Sequence, residues 1–323
     1  MINDVVPKLR SLRTPVRKTL KKKGTLTIGM VETTPVVWKD ELLRFEWVRN
    51  KKWGSVKMEY RDIGCFRFVS MADGTLRGAE FGHDHSFGTC YEENGVMYAF
   101  GVRGEARGDV LSNVVDILWS DDLVNWQQKE ILRLPEDVHV FNNSVCKGAD
   151  GYYIALEIHG REDWVGNGFT CIFAKSADLM NWELLDPLSH SYDHGRYTAC
   201  PVLRYVDGYY YMICLEALPL KRYVPYITRT KDFETFEMGH YNPVMWYDDD
   251  DKLIQHPEWF TEEQLDYIAN SVNCNVSDLD ICDYNGKTVI LYSWGNQLGK
   301  EFLAEAEYDG SMAEFLKSFY VDA

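Results

Sequence analysis

The chain repeats one short phrase three times at nearly equal spacing. Residues 120–126, 176–182 and 230–236 share the frame S/T-x-D-L/F-x-x-W/F, and successive copies stand 56 and 54 residues apart. Each copy follows two runs rich in β-branched and aromatic residues, which are joined by a short turn such as Val206-Asp207-Gly208. A period of this size, with about four strands in each unit, is typical of a β-propeller.

Two more divergent units complete the pattern. Residues 33–42 and 65–81 form a first unit, and residues 277–292 and 301–311 form a last one. Because no helical periodicity competes over most of the chain, five units predict an all-β fold, a five-bladed β-propeller. Blades bury their faces only against their neighbours. We therefore expect one propeller domain at residues 30–323, preceded by a short basic N-terminal arm at residues 1–29.

The charge is distributed unevenly. The net charge of the chain is -16, yet residues 1–23 carry +7, which leaves -23 for the remainder. This balance argues against nucleic acid and against an anionic membrane as the main partner. The arm could bind a polyanion, but docking on the acidic propeller of its own or a neighbouring subunit is favoured, and the second case would give a homodimer.

Cysteine usage and the first residues suggest a location. The eight cysteines lie mostly within predicted strands and show no C-x-x-C or Cys/His ligand spacing, so they are interpreted as reduced core residues. The residues after Met1 lack the apolar segment of a secretory signal, and no stretch approaches 18 apolar residues. These features predict a soluble, cytoplasmic protein.

One long insertion separates the fourth and fifth units. Residues 247–252 contain a run of four aspartates, which is interpreted as a solvated loop and less readily as a cation site. Thr261 and Gln264 form a capping box that predicts a short helix ending near Ser271. Its position in the chain allows either a flap beside the central cavity or a plain connector.

Polar residues recur where a propeller would bring them to its axis. The innermost strands of the blades converge there, so side chains at the starts of those strands, or at the ends of the second strands, meet in one pocket. Read unit by unit, these candidates are Glu32 and Glu46; His83, Asp84 and His85; Asn142, Asn143 and Glu157; His194, Arg196 and Glu216; and Asp278 and Asp280.

The candidates form a carboxylate-rich set that could perform acid–base chemistry. Glu157 and Glu216 end apolar runs, where a carboxylate would cost several kcal/mol unless it is paired or faces a polar cavity. Glu46 could instead pair with Arg44 or Arg49. Two carboxyl groups at suitable separation, one protonated and one ionised, are the equipment for glycosidic cleavage. The same oxygens could hold a structural Ca²⁺ near the axis, but no motif calls for a catalytic cofactor.

Several phrases carry a family resemblance. The strand-turn phrases at residues 207–216 and 285–299, together with the S-x-D-L-x-x-W repeats, resemble the five-bladed propeller glycoside hydrolases of families 43, 62, 32, 68 and 117, and families 43 and 117 are the most similar in their pattern. The resemblance covers about residues 30 to 320. It implies exo-acting cleavage of furanosides, xylosides or anhydro-galactosides, and in family 117 an N-terminal extension that contributes to dimers.

The catalytic motifs of family 43 are replaced here. Thr34-Pro35 stands where that family has Asp-Pro, with Glu32 two residues earlier. Ala199-Cys200-Pro201 stands where it has Glu-Gly-Pro, so the acid must come from elsewhere. Asp84 is the nearest substitute for its second-blade aspartate.

The sequence analysis therefore predicts an intracellular glycosidase acting on a small oligosaccharide or glycoside. We expect Asp84 to be the base and Glu216 or Glu157 the acid, with Asp280 as modulator or sugar ligand. The expected substrate ligands are Glu32, His83, His85, Asn143, Arg196 and Asp278. Two alternatives stay open: a glycoside phosphorylase, which would need a phosphate site at Arg196, Arg103 or Arg107, and a non-catalytic carbohydrate-binding propeller.

Overall fold

The computed structural model describes residues 20–49, 64–104, 112–166, 168–192, 197–296 and 300–321. These residues form five antiparallel sheets, each built from strands that follow one another along the chain except where the N-terminal strand joins the last sheet. The five sheets are the blades of a β-propeller, as the sequence repeats predicted.

The strands are assigned to blades as follows. Strand β1 (Leu20–Ile28) belongs to the fifth blade. The first blade has β2 (Thr34–Trp38), β3 (Glu41–Val48), β4 (Cys65–Ser70) and β5 (Leu76–Phe81). The second has β6 (His85–Glu93), β7 (Val96–Arg103), β8 (Val114–Ser120) and β9 (Gln127–Arg133). The third has β10 (His139–Lys147), β11 (Tyr152–His159), β12 (Thr170–Ser176), β13 (Trp182–Leu184) and the short β14 (Ser191–Tyr192). The fourth has β15 (Thr198–Val206), β16 (Tyr209–Leu218), β17 (Arg222–Thr230) and β18 (Phe236–Met238). The fifth adds β19 (Asn275–Tyr284), β20 (Lys287–Gly295) and β21 (Glu301–Tyr308).

Helices are few and short. They are α1 (Glu162–Val165), α2 (Glu262–Asn270) and α3 (Met312–Lys317), with 3₁₀ turns at Asp249–Lys252 and Pro257–Trp259. Helix α2 begins at the predicted capping box, since the Thr261 side chain accepts from the Gln264 backbone and the Gln264 side chain accepts from Thr261. No helix among the described residues is long and apolar enough to cross a membrane.

The ring is closed by the N-terminal strand. Strand β1 pairs antiparallel with β21 along its whole length, from Leu20 opposite Tyr308 to Ile28 opposite Phe302. The last blade therefore combines the two ends of the described chain, with β1 as its outer strand, and this pairing joins the first blade to the fifth. Residues 20–28 had been placed in the basic arm, and residues 1–19 of that arm lie outside the described residues.

The repeated phrase forms the same capped loop in three blades. In the second blade Asp122 Oδ1 accepts the backbone N–H groups of Val124 and Asn125, both at 2.8 Å. Leu123 adopts a positive φ of 61° and is buried, and Trp126 Nε1 donates to the Leu123 carbonyl at 3.2 Å. The Asp in the frame is thus required by the turn, and the Leu and Trp are required by packing.

These loops attach each blade to the preceding one. The Trp126 ring stacks on Phe81 of the first blade, with centroids 3.6 Å apart and planes 4° apart. Gly78, at φ 74°, lies so close to the Leu123 carbonyl that a Cβ there would come within 2.1 Å of the oxygen. In the same way Trp182 packs edge-on against Phe100, and Phe233 packs against Phe173. The aromatic content of the chain is therefore used largely between blades.

We expect Asp232→Ala to destabilise the fold by about 1–2 kcal/mol, because it removes two backbone hydrogen bonds that hold the third capped loop. Asp232 Oδ1 accepts the N–H groups of Glu234 and Thr235, both at 2.9 Å. Urea unfolding measures the change. The control Asp121→Ala removes an exposed carboxylate from the equivalent loop of the second blade and should change the free energy of unfolding by less than about 0.5 kcal/mol; equal effects of the two variants would contradict the role of the cap.

The insertion between blades four and five secures β1. Asp251 is fully buried, and its carboxylate accepts from Lys22 Nζ, the Tyr292 hydroxyl and Asn273 Nδ2, each at 2.7 Å. Thr25 also donates from its backbone N–H to the Leu253 carbonyl at 2.7 Å. The interpretation of the aspartate run as a solvated loop is wrong for Asp251, because the carboxylate forms the buried anchor of the closing strand. The insertion is a connector at the outer edge of blade five rather than a flap over the axis.

Candidate active site

Four innermost strands carry a β-bulge at the same level. The pairing skips between Ser86 and Thr89, Val140 and Asn143, Ala199 and Val202, and Ser277 and Asp280. The bulged residues Phe87, Cys200 and Asp278 have positive φ angles near 48°, and Glu32, just before β2, has φ 56°. Non-glycine residues rarely adopt this conformation, and bulges re-aim side chains near functional sites. The bulges form a ring around the propeller axis.

The ring encloses a small axial cavity of about 30 Å³. Its lining includes Glu32, Thr33, Asn142, Asn143, Cys200, Asp278 and Asp280. A cavity of this size holds one or two waters but no sugar ring. A substrate would therefore sit above it, with the cavity as the floor of the site.

Glu157 lies beside the cavity rather than in its lining, and it is bound to two lining residues. It lies in the buried part of β11 and is 2% exposed. Its Oε2 accepts from the Cys200 backbone N–H at 2.8 Å and from Asn142 Nδ2 at 3.0 Å. Burial is the main cause that raises the pKa of Glu157 to about 8; the charges of Glu32 and Asp278 also raise it, and the two hydrogen bonds oppose the rise. Glu157 therefore keeps its proton at neutral pH.

Glu32 is a second carboxyl group with an unusual affinity for protons. Burial raises the pKa of Glu32 to about 7, the Arg49 guanidinium 3.3 Å away opposes this shift, and the Asp278 charge adds to it. Glu32 and Glu157 thus both titrate near neutrality, and each influences the other through the shared environment.

Asp278 completes the group through Cys200. Its Oδ1 accepts from Cys200 Sγ at 2.8 Å and its Oδ2 accepts from Ser277 Oγ at 2.5 Å. Asn142 Nδ2 lies 3.2 Å from the same sulfur and 3.0 Å from Glu157 Oε2. This chain of contacts keeps the Glu157 and Asp278 oxygens no more than about 9 Å apart, an upper bound compatible with the separations of carboxylate pairs in glycosidic cleavage.

Asp280 lines the cavity and is paired. Its Oδ1 accepts from Arg204 Nη2 at 2.5 Å and from the Ile281 backbone N–H at 2.7 Å. Burial raises the pKa of Asp280, and Arg204 counters that rise. The ion pair joins blades four and five, and the role of Asp280 as modulator or sugar ligand stays a prediction.

An arc of aromatic rings runs past the same level. Successive centroids lie about 5 Å apart from Trp47 to Phe87 (4.7 Å), Phe141 (5.1 Å), Phe169 (5.1 Å) and Tyr197 (5.2 Å). Phe87 and Phe141 are bulge residues, and Tyr197 directly precedes β15. Burial raises the pKa of Tyr197, and the charge of Glu157 adds to that rise. The arc therefore passes close to the carboxyl group on Glu157.

The second-blade candidates belong to a separate ion network. His85 is fully buried, with Nε2 2.9 Å from Asp116 Oδ2, and its Nδ1 lies 2.7 Å from Asp84 Oδ1 without hydrogen-bond geometry. Burial raises the pKa of Asp116, but the bonds from His85 and Arg103 outweigh this effect and hold the pKa below its usual range. His83, Asp84 and His85 are not among the residues that line the axial cavity.

The other candidates are placed as follows. Glu216 is buried on β16, opposite Thr198 and Val224. Its charge contributes to the raised pKa of the Cys214 thiol. Glu216 does not line the axial cavity. Glu46 accepts from Arg44 at 2.5 Å and from Arg67 at 2.7 Å, so it forms a structural ion pair. His194, Arg196 and Arg107 lie outside the described residues.

Sequence reasoning named five residues of the cavity lining, Glu32, Asn142, Asn143, Asp278 and Asp280, but missed Cys200 and the aromatic arc. Cys200 was noted only as a departure from a family motif, and Phe87 and Phe141 looked like ordinary strand residues. Their shared level became visible only through the bulges. An alignment of the units on the first of the two residues that each pairing skips would have found them, since Phe87, Phe141, Cys200 and Asp278 occupy that position.

The residues at the cavity do not fit a calcium ion. The inner Oε2 of Glu157 is already engaged by two N–H donors, and a thiol stands between the carboxyl groups. Ca²⁺ prefers six to eight oxygen ligands. Within the described ranges no group of three or more His, Cys, Asp or Glu side chains is arranged to hold a metal ion.

Comparison with known proteins connects this architecture to solved structures. No protein-family model matches the sequence, and neither does any curated protein. A structure described as a glycoside hydrolase matches with a TM-score of 0.61 at 12% identity, over 97% of this chain and 96% of that one. A glycosyl hydrolase from Bacteroides ovatus matches with a TM-score of 0.58 at 10% identity, over 87% and 84%. An α-L-arabinofuranosidase from Clostridium thermocellum matches with a TM-score of 0.51 at 13% identity, over 86% and 83%. The chain has the five-bladed β-propeller fold of these glycoside hydrolases.

Proposed function

We propose that the protein is a glycoside hydrolase that removes a terminal sugar from a small oligosaccharide or glycoside. The observation that carries this proposal is the convergence of a protonated Glu157 with Asp278 and Glu32 at the propeller axis. Carboxyl groups whose environments push their proton affinities apart are the usual acid and base of glycosidic cleavage. The likeness of the fold to solved glycoside hydrolases supports the same reaction class.

The geometry supports definite roles. Glu157, which retains its proton at neutral pH, donates it to the leaving-group oxygen. Asp278, whose two oxygens accept hydrogen bonds, acts as the base that activates water or as the nucleophile that attacks the anomeric carbon. The charge of Glu32 adds to the rise that burial causes in the pKa of Glu157. The roles predicted for Asp84 and Glu216 stay predictions; Asp278 lines the cavity, and Glu157 is bound to the lining residues Cys200 and Asn142.

The floor of the site favours an exo-acting enzyme. The axial cavity of about 30 Å³ is too small for a sugar ring, so we expect a substrate to lie across its mouth. A chain end can reach this position beside the arc of Phe141, Phe169 and Tyr197, whose rings suit the apolar face of a sugar. We propose a furanoside, xyloside or anhydro-galactoside, as the resemblance of the sequence to the propeller glycoside hydrolases implies.

The first test is a screen of the purified protein against chromogenic furanosides and pyranosides, with and without inorganic phosphate. We expect release of the aglycone without phosphate. Strict dependence on phosphate would instead establish the phosphorylase, although Arg103 is engaged by Asp116 and by Glu130 at 3.3 Å. Thermal stabilisation by a sugar without turnover would establish a carbohydrate-binding propeller.

The pH dependence of kcat/KM provides a second prediction. Because Glu157 must be protonated to act, activity should be present below its pKa and should fall as the pH rises through about 8. The loss should approach tenfold per pH unit above that value. A profile that stays flat to pH 10 would show that Glu157 is not the proton donor.

A cytoplasmic location and a homodimer formed through the arm at residues 1–29 remain proposals from the sequence. The pairing of residues 20–28 within the fifth blade leaves residues 1–19 as the part of the arm that could reach a partner. The sedimentation coefficient with and without residues 1–19 would show whether this segment contributes to a dimer.

A further inference from the structure

The floor of the axial cavity contains two unsatisfied polar atoms. Thr33 Oγ1 and Asn143 Oδ1 are buried and have no hydrogen-bond partner among the described residues, although both side chains line the cavity. Thr33 is 2% exposed and Asn143 is 5% exposed. The two atoms come from opposite parts of the ring, blade one and blade three.

The orientation of Asn143 is fixed by its other end. Asn143 Nδ2 donates to the Phe87 carbonyl at 2.7 Å, so Oδ1 is the atom that remains. Phe87 is the bulged residue of blade two, at φ 48°. Asn143 thus holds the neighbouring bulge in place and leaves an acceptor without a donor.

Such groups are rarely left alone. A buried polar atom without a partner costs about 1–3 kcal/mol, and native proteins satisfy the great majority of them with protein groups or with ordered water. The cavity volume of about 30 Å³ accommodates one or two waters, and its lining supplies the two to four polar partners that a buried water requires. A dry cavity of this kind would be apolar.

We propose that the axial cavity is a permanent water-binding site, in which one or two ordered waters satisfy Thr33 Oγ1 and Asn143 Oδ1 and hydrogen-bond to the carboxyl groups above them. These waters hydrate Glu32 and Asp278 from below. A sugar that covers the mouth of the cavity would displace bulk solvent. The internal waters would then be the water that still solvates the carboxyl groups. This last consequence rests on the proposed function, whereas the water site itself does not.

A crystal structure of the wild-type protein tests the site directly. We expect density for water within about 3.2 Å of both Thr33 Oγ1 and Asn143 Oδ1. An empty cavity would overturn the proposal. So would a cation, recognised by oxygen ligands at about 2.3–2.6 Å and by stabilisation of the protein on addition of Ca²⁺.

Thr33→Val provides an independent test, because the melting temperature should change in opposite directions with and without a water bound to the Thr33 hydroxyl. Valine has the shape of threonine, so the change removes only the hydroxyl. If the hydroxyl binds water, the melting temperature should fall by about 1–3 °C. If the hydroxyl has no partner, the melting temperature should rise, which would contradict the proposal.

The matched control is Thr228→Val, at an equally buried threonine whose hydroxyl donates directly to the Glu237 carbonyl at 2.9 Å. It should lower the melting temperature as the loss of a made hydrogen bond does. Neither measurement requires turnover, so the water site is tested independently of the glycosidase proposal.

Discussion

Replacing Glu157 by glutamine is expected to reduce kcat by about 10²- to 10⁴-fold on a glycoside with a poor leaving group, because the amide cannot supply the proton. The substitution keeps the size of the side chain and its acceptor for the Cys200 N–H. The fold should survive, since Glu157 is already neutral in the protein at neutral pH. Steady-state kinetics on the best substrate of the screen, together with the melting temperature, measure both effects.

A matched control separates catalysis from burial. Glu305 on β21 is 5% exposed, and burial raises its pKa as well, but the charges that act on it are those of Lys23, Glu307 and Arg44, none of which lines the axial cavity. Glu305→Gln should therefore leave kcat within about twofold of the wild type, since it touches no reacting group. Equal losses in the two variants would indicate a general effect of removing a buried carboxyl group and would contradict the role of Glu157.

Asp251→Asn is expected to destabilise the protein by about 1–3 kcal/mol, the typical cost of buried donors left without an acceptor. Asp251 is fully buried, and an amide nitrogen would face the Asp248 N–H and Asn273 Nδ2, while Lys22 would keep only the more exposed Asp248 as a charged partner. Because Lys22 lies on β1, the loss falls on the strand that closes the ring. Urea unfolding measures the change in free energy.

Asp248→Asn is the control for this network. Asp248 also pairs with Lys22, at 3.0 Å, but its side chain is 54% exposed. Asparagine can still accept the Asp250 N–H that caps the 3₁₀ turn. The change should stay below about 1 kcal/mol, as for other exposed ion pairs. Similar losses at the two positions would show that burial does not decide the strength of this anchor.

The architecture was predictable because the repeat has a physical cause. The Asp of each phrase caps a turn, its Leu or Phe is buried, and its Trp or Phe packs on the preceding blade, so the frame can recur only where the same loop recurs. The pairing of β1 with β21 was not predicted. Lysine and threonine make up more than half of Leu20–Ile28, so this stretch does not show the apolar pattern of a strand. Its partner strand also lies about 280 residues away along the chain.

The candidate site was predicted in part. Glu157, Glu32 and Asp278 were chosen because they stand at the ends or starts of strands that converge on the axis, and the structure brings them together. Asp84 met the same criterion, yet it lies beside His85 in a network with Asp116. Position along a strand gives the level of a side chain but not its direction, which the bulges determine here.

The most direct test of the account is a crystal structure of the Glu157→Gln variant with the substrate identified by the screen. We predict that the terminal sugar lies against Phe169 and Tyr197, with its glycosidic oxygen within about 3.2 Å of the side chain at position 157 and its anomeric carbon facing Asp278. A sugar bound with that oxygen beside Asp84 or Glu216, or in the groove between Tyr153 and Tyr205 at the outer junction of blades three and four, would contradict the account.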